Sequence, residues 1–272
     1  MIRTRLITSF LGIPLILVGL FWSAESWVAL MVVLAGVGVL EMSRLLKWAG
    51  TSVSAAGSLG LAAVALVPVI VAVLTGAAGL PVRLSLSLGP FLASVLTLLA
   101  FLLAPGDRPL SEFAGLLFGT LYPAWLFGFL IALRSAPGSA NTVFWLLLVI
   151  WLGDAAAYAF GSLIKGWRPF PGISPGKTIS GFLAGLVVSI AVAATLHMLT
   201  GPGVDVVIGG LIGGTCAVAA QFGDLAESLI KRRAGAKDSG SVLPGHGGVL
   251  DRFDGVLIAG PVLYYCLQIF HP

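Results

Sequence analysis

Asp224, Glu227, Ser228 and Lys231 stand at i, i+3, i+4 and i+7 in a stretch with no helix breaker, so on a helix they share one face. Two carboxylates, a hydroxyl and an ammonium along one stripe are the groups needed to hold a hydrated divalent cation beside a phosphate. A solvated helix face with an ordinary ion pair would carry the same residues. The stripe directly follows a long apolar run, and that position against a membrane favours the first reading. Three short segments come next: Lys237-Asp238-Ser239-Gly240, Pro244-Gly245-His246-Gly247-Gly248 and Asp251-Arg252-Phe253-Asp254. Glycines around His246 allow backbone N–H groups to approach a polyphosphate, and Lys237 and Arg252 can neutralise it. The segment matches neither the Walker A pattern nor the dinucleotide fingerprint, and a flexible turn is also glycine-rich. Asp251 and Asp254 lie one helical turn apart where the last apolar run begins, a costly place for two acids without a cation or a basic partner.

Two further groups lie upstream. Asp154 sits near the middle of an apolar run with Tyr158 and Gly161 on nearly the same helical face. An acid at that depth costs roughly 2.5 to 3.5 kcal/mol on insertion scales, so it is expected to face a polar cavity. Pairing with Tyr158 or with a serine of another helix is the alternative. Ser174-Pro175-Gly176-Lys177-Thr178 opens the following run, and hydroxyls, a lysine and free N–H groups at a helix start make an anion site. An N-cap beside an interfacial lysine would look the same.

The elements that carry these groups are set by hydropathy. Of 272 residues, 58% are hydrophobic and 10% charged, where a soluble domain has about a quarter charged. Apolar runs of roughly 16 to 21 residues match the length of helix that crosses a hydrocarbon layer. They lack the alternation of barrel strands. Nine spans are expected, at 6–22, 27–43, 55–75, 88–104, 113–133, 143–163, 179–199, 205–222 and 255–270. The expected fold is therefore all-α, a polytopic integral membrane helical bundle of about nine transmembrane helices. Gly89 and Pro90 are taken to set the start of span four. Residues 1–140 supply N-terminal transmembrane helices, and 141–272 form a catalytic transmembrane region with loops 164–178 and 223–254. The second loop, about 32 residues, exceeds an ordinary helix connection.

With a cytoplasmic N-terminus, the inside loops receive Arg3, Arg5, Arg44, Lys47, Arg108, Lys165, Arg168, Lys177, Lys231, Arg232, Arg233, Lys237 and Arg252, leaving Arg83 and Arg134 outside. This asymmetry obeys the positive-inside rule and places both polar loops in the cytoplasm. It also accounts for the net charge of +4 without nucleic acid binding. The first apolar run reads as an anchor, since more spans come after it and no convincing small-x-small cleavage site follows. Cys216 and Cys266 read as packing residues, and Trp22, Trp27, Trp48 and Trp145 as an interfacial belt.

Taken together, Ser228-x-x-Lys231-Arg232-x4-Lys237-Asp238-x-Gly240-x3-Pro244-x-His246-Gly247-Gly248-x-x-Asp251-Arg252-x-Asp254 resembles the full signature of the phosphatidate cytidylyltransferase (CDP-diacylglycerol synthase) family. Asp154-x-x-Ala157-Tyr158 and Ser174-Pro175-x-Lys177-Thr178 resemble two further family segments, so the likeness covers residues 151–254 closely. The family commonly has Glu where Ser180 precedes Gly181 here, which leaves no carboxylate at that place. The resemblance implies transfer of the cytidylyl group of CTP to phosphatidate, giving CDP-diacylglycerol and pyrophosphate for phospholipid biosynthesis. It also implies Mg²⁺ at a two-cation site, a homodimer, and the inner membrane of a bacterium.

On that resemblance Asp224 and Asp251 carry over as metal carboxylates, with Glu227 and Asp254 as further candidates. Asp224, Lys231, Asp251 and Arg252 form the expected catalytic set. Asp154, Tyr158, Ser174, Lys177, Ser228, Arg232, Lys237, Asp238, His246, Gly247 and Gly248 form the substrate-binding set. A CTP-dependent polyprenol or dolichol kinase would need the same reactant types but would release CDP. A transporter would explain Asp154 but not the long polar loop.

Overall fold

The computed structural model describes residues 2–103, 109–135, 139–200, 204–245 and 247–270, and the side chains of all of these except 2–9 and 198–200. Nine helices occur among the described residues: α1 (Ile2–Trp22), α2 (Ala24–Trp48), α3 (Ala55–Leu74), α4 (Leu80–Leu103), α5 (Leu110–Ala132), α6 (Ser139–Ile164), α7 (Ile179–Thr200), α8 (Val206–Arg233) and α9 (Leu250–Phe270). No strand is present among those residues, only an isolated bridge between Leu243 and Gly247. Eight helices are long and apolar enough to cross a membrane, and α1 contributes the apolar stretch Phe10–Trp22. The chain is an all-α, multi-pass membrane protein, as its hydropathy predicts.

Helix ends depart from the expected spans where side chains intervene. α4 begins at Leu80 and runs through Gly89 and Pro90. Pro90 has no N–H for the carbonyl of Leu86, and that carbonyl instead accepts a 3.0 Å bond from the Trp125 indole of α5. At Gly89 a Cβ would lie 2.1 Å from the Ala65 carbonyl oxygen, so α3 and α4 approach backbone to backbone there. α8 continues unbroken to Arg233, and α9 starts at Leu250, which places Asp251 and Asp254 inside the helix instead of before it.

The chain forms two compact units, Met1–Ala136 with Ile230–Arg252, and Pro137–Leu229 with Phe253–Pro272. In the first, α2 and α3 both pack on α5, and α4 lies against α3 and α5. Trp27, Met31, Met42, Leu45, Phe127 and Leu130 are fully or almost fully buried at its centre. The Trp27 indole donates to the Leu130 carbonyl at 2.8 Å, so this residue belongs to the core and not to an interfacial belt. Trp145 in the second unit is likewise buried and donates to the Ala193 carbonyl at 3.2 Å. Trp22 and Trp48 remain exposed, as an interfacial position requires.

In the second unit α6 and α7 meet along a seam of small residues. A Cβ on Gly181 would sit 2.6 Å from the Ala157 carbonyl oxygen, and one on Gly185 3.0 Å from that of Gly153. Ser189 bonds across the seam to the Val149 carbonyl at 2.9 Å. In lipid, where apolar side chains gain little by leaving the solvent, such close approach is what holds two helices together. The seam fixes α6, which carries Asp154, against α7, whose N-cap Thr178 directly follows Lys177.

Candidate active site

The second unit carries one polar cluster. The turn before α7 is tied by Ile179 N–H donating to the Trp167 carbonyl at 2.9 Å and by Ser174 N–H donating to the Phe170 carbonyl at 2.9 Å. Thr178 is the N-cap of α7, its hydroxyl accepting from Gly181 N–H at 3.1 Å and lying 3.0 Å from the Ser180 hydroxyl. Lys177 is directed to α8, where its ammonium sits 2.8 Å from Asp224 Oδ2 and 3.3 Å from the Gln221 carbonyl. Asp224 also accepts from the Ser228 hydroxyl at 3.3 Å. The Lys177–Asp224 pair is partly exposed, with 26% and 43% of the side chains open, so both remain able to meet a solute. Asp154 and Tyr158, on α6, are exposed as well.

The first unit carries a tighter cluster around Asp251. Its Oδ1 accepts from the Lys231 ammonium at 2.6 Å. Its Oδ2 accepts from Gly248 N–H at 2.7 Å, Ser239 N–H at 2.8 Å and the Ser239 hydroxyl at 2.9 Å. The side chains of Lys231 and Asp251 are only 10% and 6% exposed. Gly247 turns the chain at φ +82°, and a Cβ there would lie 2.6 Å from Asp251 Oδ2. Glycine at this position thus permits both the left-handed backbone and the approach of the carboxylate. Leu243 N–H donates to the Gly247 carbonyl at 2.9 Å and closes the loop. Arg232, Lys237, Asp238 and Arg252 are exposed around this centre.

Of the residues singled out by spacing, Lys231, Gly248 and Asp251 come together in one cluster, and Lys177, Asp224 and Ser228 in the other. The stripe on α8 is helical throughout, but it is not one solvated face: Glu227 is fully buried. Asp254 lies in the first turns of α9, with its Oδ1 accepting from Gly255 N–H at 2.7 Å. Ser174 is half-buried. His246 lies outside the described residues. Two polar residues of the first cluster were given no role by spacing. Ser239 sits inside the motif yet bonds Asp251 directly, and Glu41 of α2, fully buried, bonds the same loop. A carboxylate inside an apolar run was the only available signal for Glu41.

Carboxylate oxygens are the hard donors that Mg²⁺ takes, and Asp224 is open enough to offer one. Among the described residues no group of three or more His, Cys, Asp or Glu could hold an ion by itself. That donor set fits Mg²⁺ bound through one or two carboxylates, with substrate phosphates and water completing its shell.

The model of the family described as the cytidylyltransferase family matches residues 3–270. The phosphatidate cytidylyltransferase of Bacillus subtilis strain 168 is 35% identical over 181 residues, covering 66% of this chain and 67% of the relative. Those of Staphylococcus haemolyticus strain JCSC1435 and Staphylococcus aureus strain COL are 38% and 39% identical over 136 and 138 residues, each covering 50% of this chain and 52% of the relative. The chain thus matches two thirds of the first relative's length and about half of the other two.

Proposed function

The chain belongs to the cytidylyltransferase family, and from that membership we propose that it transfers the cytidylyl group of CTP to phosphatidate. The observation that carries the proposal is the convergence of Lys231, Ser239 and Gly248 on Asp251 within a loop edged by exposed Arg232, Lys237 and Arg252. A phosphate oxygen of phosphatidate attacks the α-phosphorus of CTP. The bond from that phosphorus to the oxygen bridging the β-phosphate breaks, leaving CDP-diacylglycerol and pyrophosphate.

Both reactants are anions, so repulsion between them is the first obstacle, and positioning with charge neutralisation supplies most of the acceleration. Lys231, Arg232, Lys237 and Arg252 neutralise the phosphates of CTP, and the N–H groups of Gly247 and Gly248 lie on the same loop. Lys177, at the start of α7, holds the phosphatidate head group, with Ser174 and Ser228 as hydrogen-bonding partners. Asp154 and Tyr158 line the polar approach, and Asp238 and His246 complete the nucleotide loop. Asp224, the open carboxylate, would hold Mg²⁺, which would supply charge stabilisation at reacting phosphates; Asp251 would do so in exchange for the Lys231 ammonium on its Oδ1, and Asp254 and the buried Glu227 are further candidate ligands. No general base is required, because phosphatidate is already ionised near neutral pH. The acyl chains stay in lipid while the head group enters. The setting we propose is the bacterial cytoplasmic membrane, with the segments 164–178 and 223–254, whose non-helical parts are 165–178 and 234–249, on the cytoplasmic side and the protein a homodimer.

The test is detergent-solubilised protein with CTP, phosphatidate and Mg²⁺. Pyrophosphate release that requires phosphatidate supports the proposal, and release of CDP in its place would identify a lipid kinase.

A further inference from the structure

Glu41 is 0% exposed in the apolar helix α2. A carboxylate buried there is expensive unless its lone pairs are filled. One short stretch of chain, 198 to 209 positions away, fills them. The Ser239 hydroxyl lies 3.1 Å from Oε2, Val249 N–H donates to Oε1 at 2.9 Å, and Leu250 N–H donates to Oε2 at 2.9 Å. The last two donors stand at the start of α9, where the first N–H groups of a helix have no helical acceptor. Val249 has no side-chain oxygen with which to cap them. Glu41 provides the cap from another helix, and its charge lies at the positive end of the α9 dipole.

The glycines of the loop record the same approach. A Cβ on Gly248 would lie 2.5 Å from both oxygens of Glu41, and one on Gly240 2.6 Å from Oε1. Larger residues at either place would push the carboxylate off the turn. Three consecutive N–H groups therefore serve two acids: Gly248 donates to Asp251, and Val249 and Leu250 donate to Glu41. The Ser239 hydroxyl lies between the two, 2.9 Å from Asp251 Oδ2 and 3.1 Å from Glu41 Oε2.

We propose that Glu41 is a positioning residue for the active site: by holding Ser239 and the Gly248–Leu250 turn, it sets the orientation in which Asp251 presents its carboxylate. The proposal deepens the cytidylyltransferase reading and rests on it for the role of Asp251, but not for the contact itself.

The experiment uses the full chain in detergent with Glu41→Gln, which keeps the volume but offers one acceptor where two N–H groups need them. Gly240→Ala is the second variant, since it displaces the carboxylate while leaving the charge in place. Amide exchange should rise at least tenfold in peptides covering residues 239–252 and stay unchanged in α3 and α4. kcat should fall at least tenfold, while KM for CTP and for phosphatidate moves less than threefold. Exchange at wild-type rates in 239–252, or a rise spread over the whole chain in both variants, overturns the positioning role. So does a rise in either KM with kcat unchanged. If the unmodified protein does not turn over CTP and phosphatidate, the cytidylyltransferase reading fails, and the exchange measurement alone decides whether Glu41 orders the turn.

Discussion

Asp251→Asn should cost both stability and turnover, whereas Asp224→Asn should cost turnover with little change in stability. The asparagine at 251 can offer its oxygen to the three donors on Oδ2, namely Gly248 N–H, Ser239 N–H and the Ser239 hydroxyl. It then turns an amide NH₂ toward the Lys231 ammonium, which the native Oδ1 holds at 2.6 Å. Removing one partner of a buried pair costs about 3 to 5 kcal/mol. Lys231 keeps 10% exposure, which places the expected loss near the lower end, about 3 kcal/mol. The Lys177–Asp224 pair, 26% and 43% exposed, belongs with exposed pairs, for which the loss is about 1 kcal/mol or less. Both substitutions weaken a hard oxygen ligand, so each should lower kcat by at least about a hundredfold. The assay is unfolding by SDS in mixed micelles, read beside steady-state turnover over a Mg²⁺ titration. Adding Lys231→Met to Asp251→Asn removes both buried charges and should recover most of the stability without the activity. Equal stability of the two single variants, or near-normal turnover of Asp251→Asn, would overturn these roles for Asp251 and Asp224.

Lys177→Ala should raise KM for phosphatidate well above any change in KM for CTP, and steady-state kinetics with each substrate varied in turn checks it. Trp125→Phe removes the donor to the Leu86 carbonyl and should lower stability by about 1 to 2 kcal/mol. Pro90→Ala on that background restores an N–H for the same carbonyl and should recover most of the loss in the SDS titration. For the orientation of the loops, Ser241→Cys and Ala78→Cys place single thiols at exposed positions in a background lacking Cys216 and Cys266. The first should label from the cytoplasmic side and the second from the opposite side.

Long apolar runs make the helices legible in the sequence, because span length and charge-poor composition act locally. The continuation of α8 to Arg233 was legible for the same reason, there being nothing in the sequence to stop it. The start of α4 was not, since Pro90 is tolerated only through a tryptophan of another helix. Trp27 and Trp145 sit near span ends but are buried, their indole N–H groups answered by carbonyls 103 and 48 positions away. In the candidate site the motif residues were visible as a pattern, yet not which of them touch. Lys177 could have faced the start of α7, where Thr178 supplies the cap, and it pairs instead with Asp224. Glu41 had no spacing to reveal it, because its donors at Val249 and Leu250 are backbone N–H groups that any residue except proline would supply.

Position-specific labelling reads directly which phosphorus of CTP is attacked. Purified protein is given phosphatidate, Mg²⁺ and CTP carrying label on either the α- or the γ-phosphorus, and the lipid is extracted. Attack on the α-phosphorus puts α-label in the lipid fraction and γ-label in free pyrophosphate. Appearance of γ-label in lipid with release of CDP, or lipid free of label from either position, would contradict it.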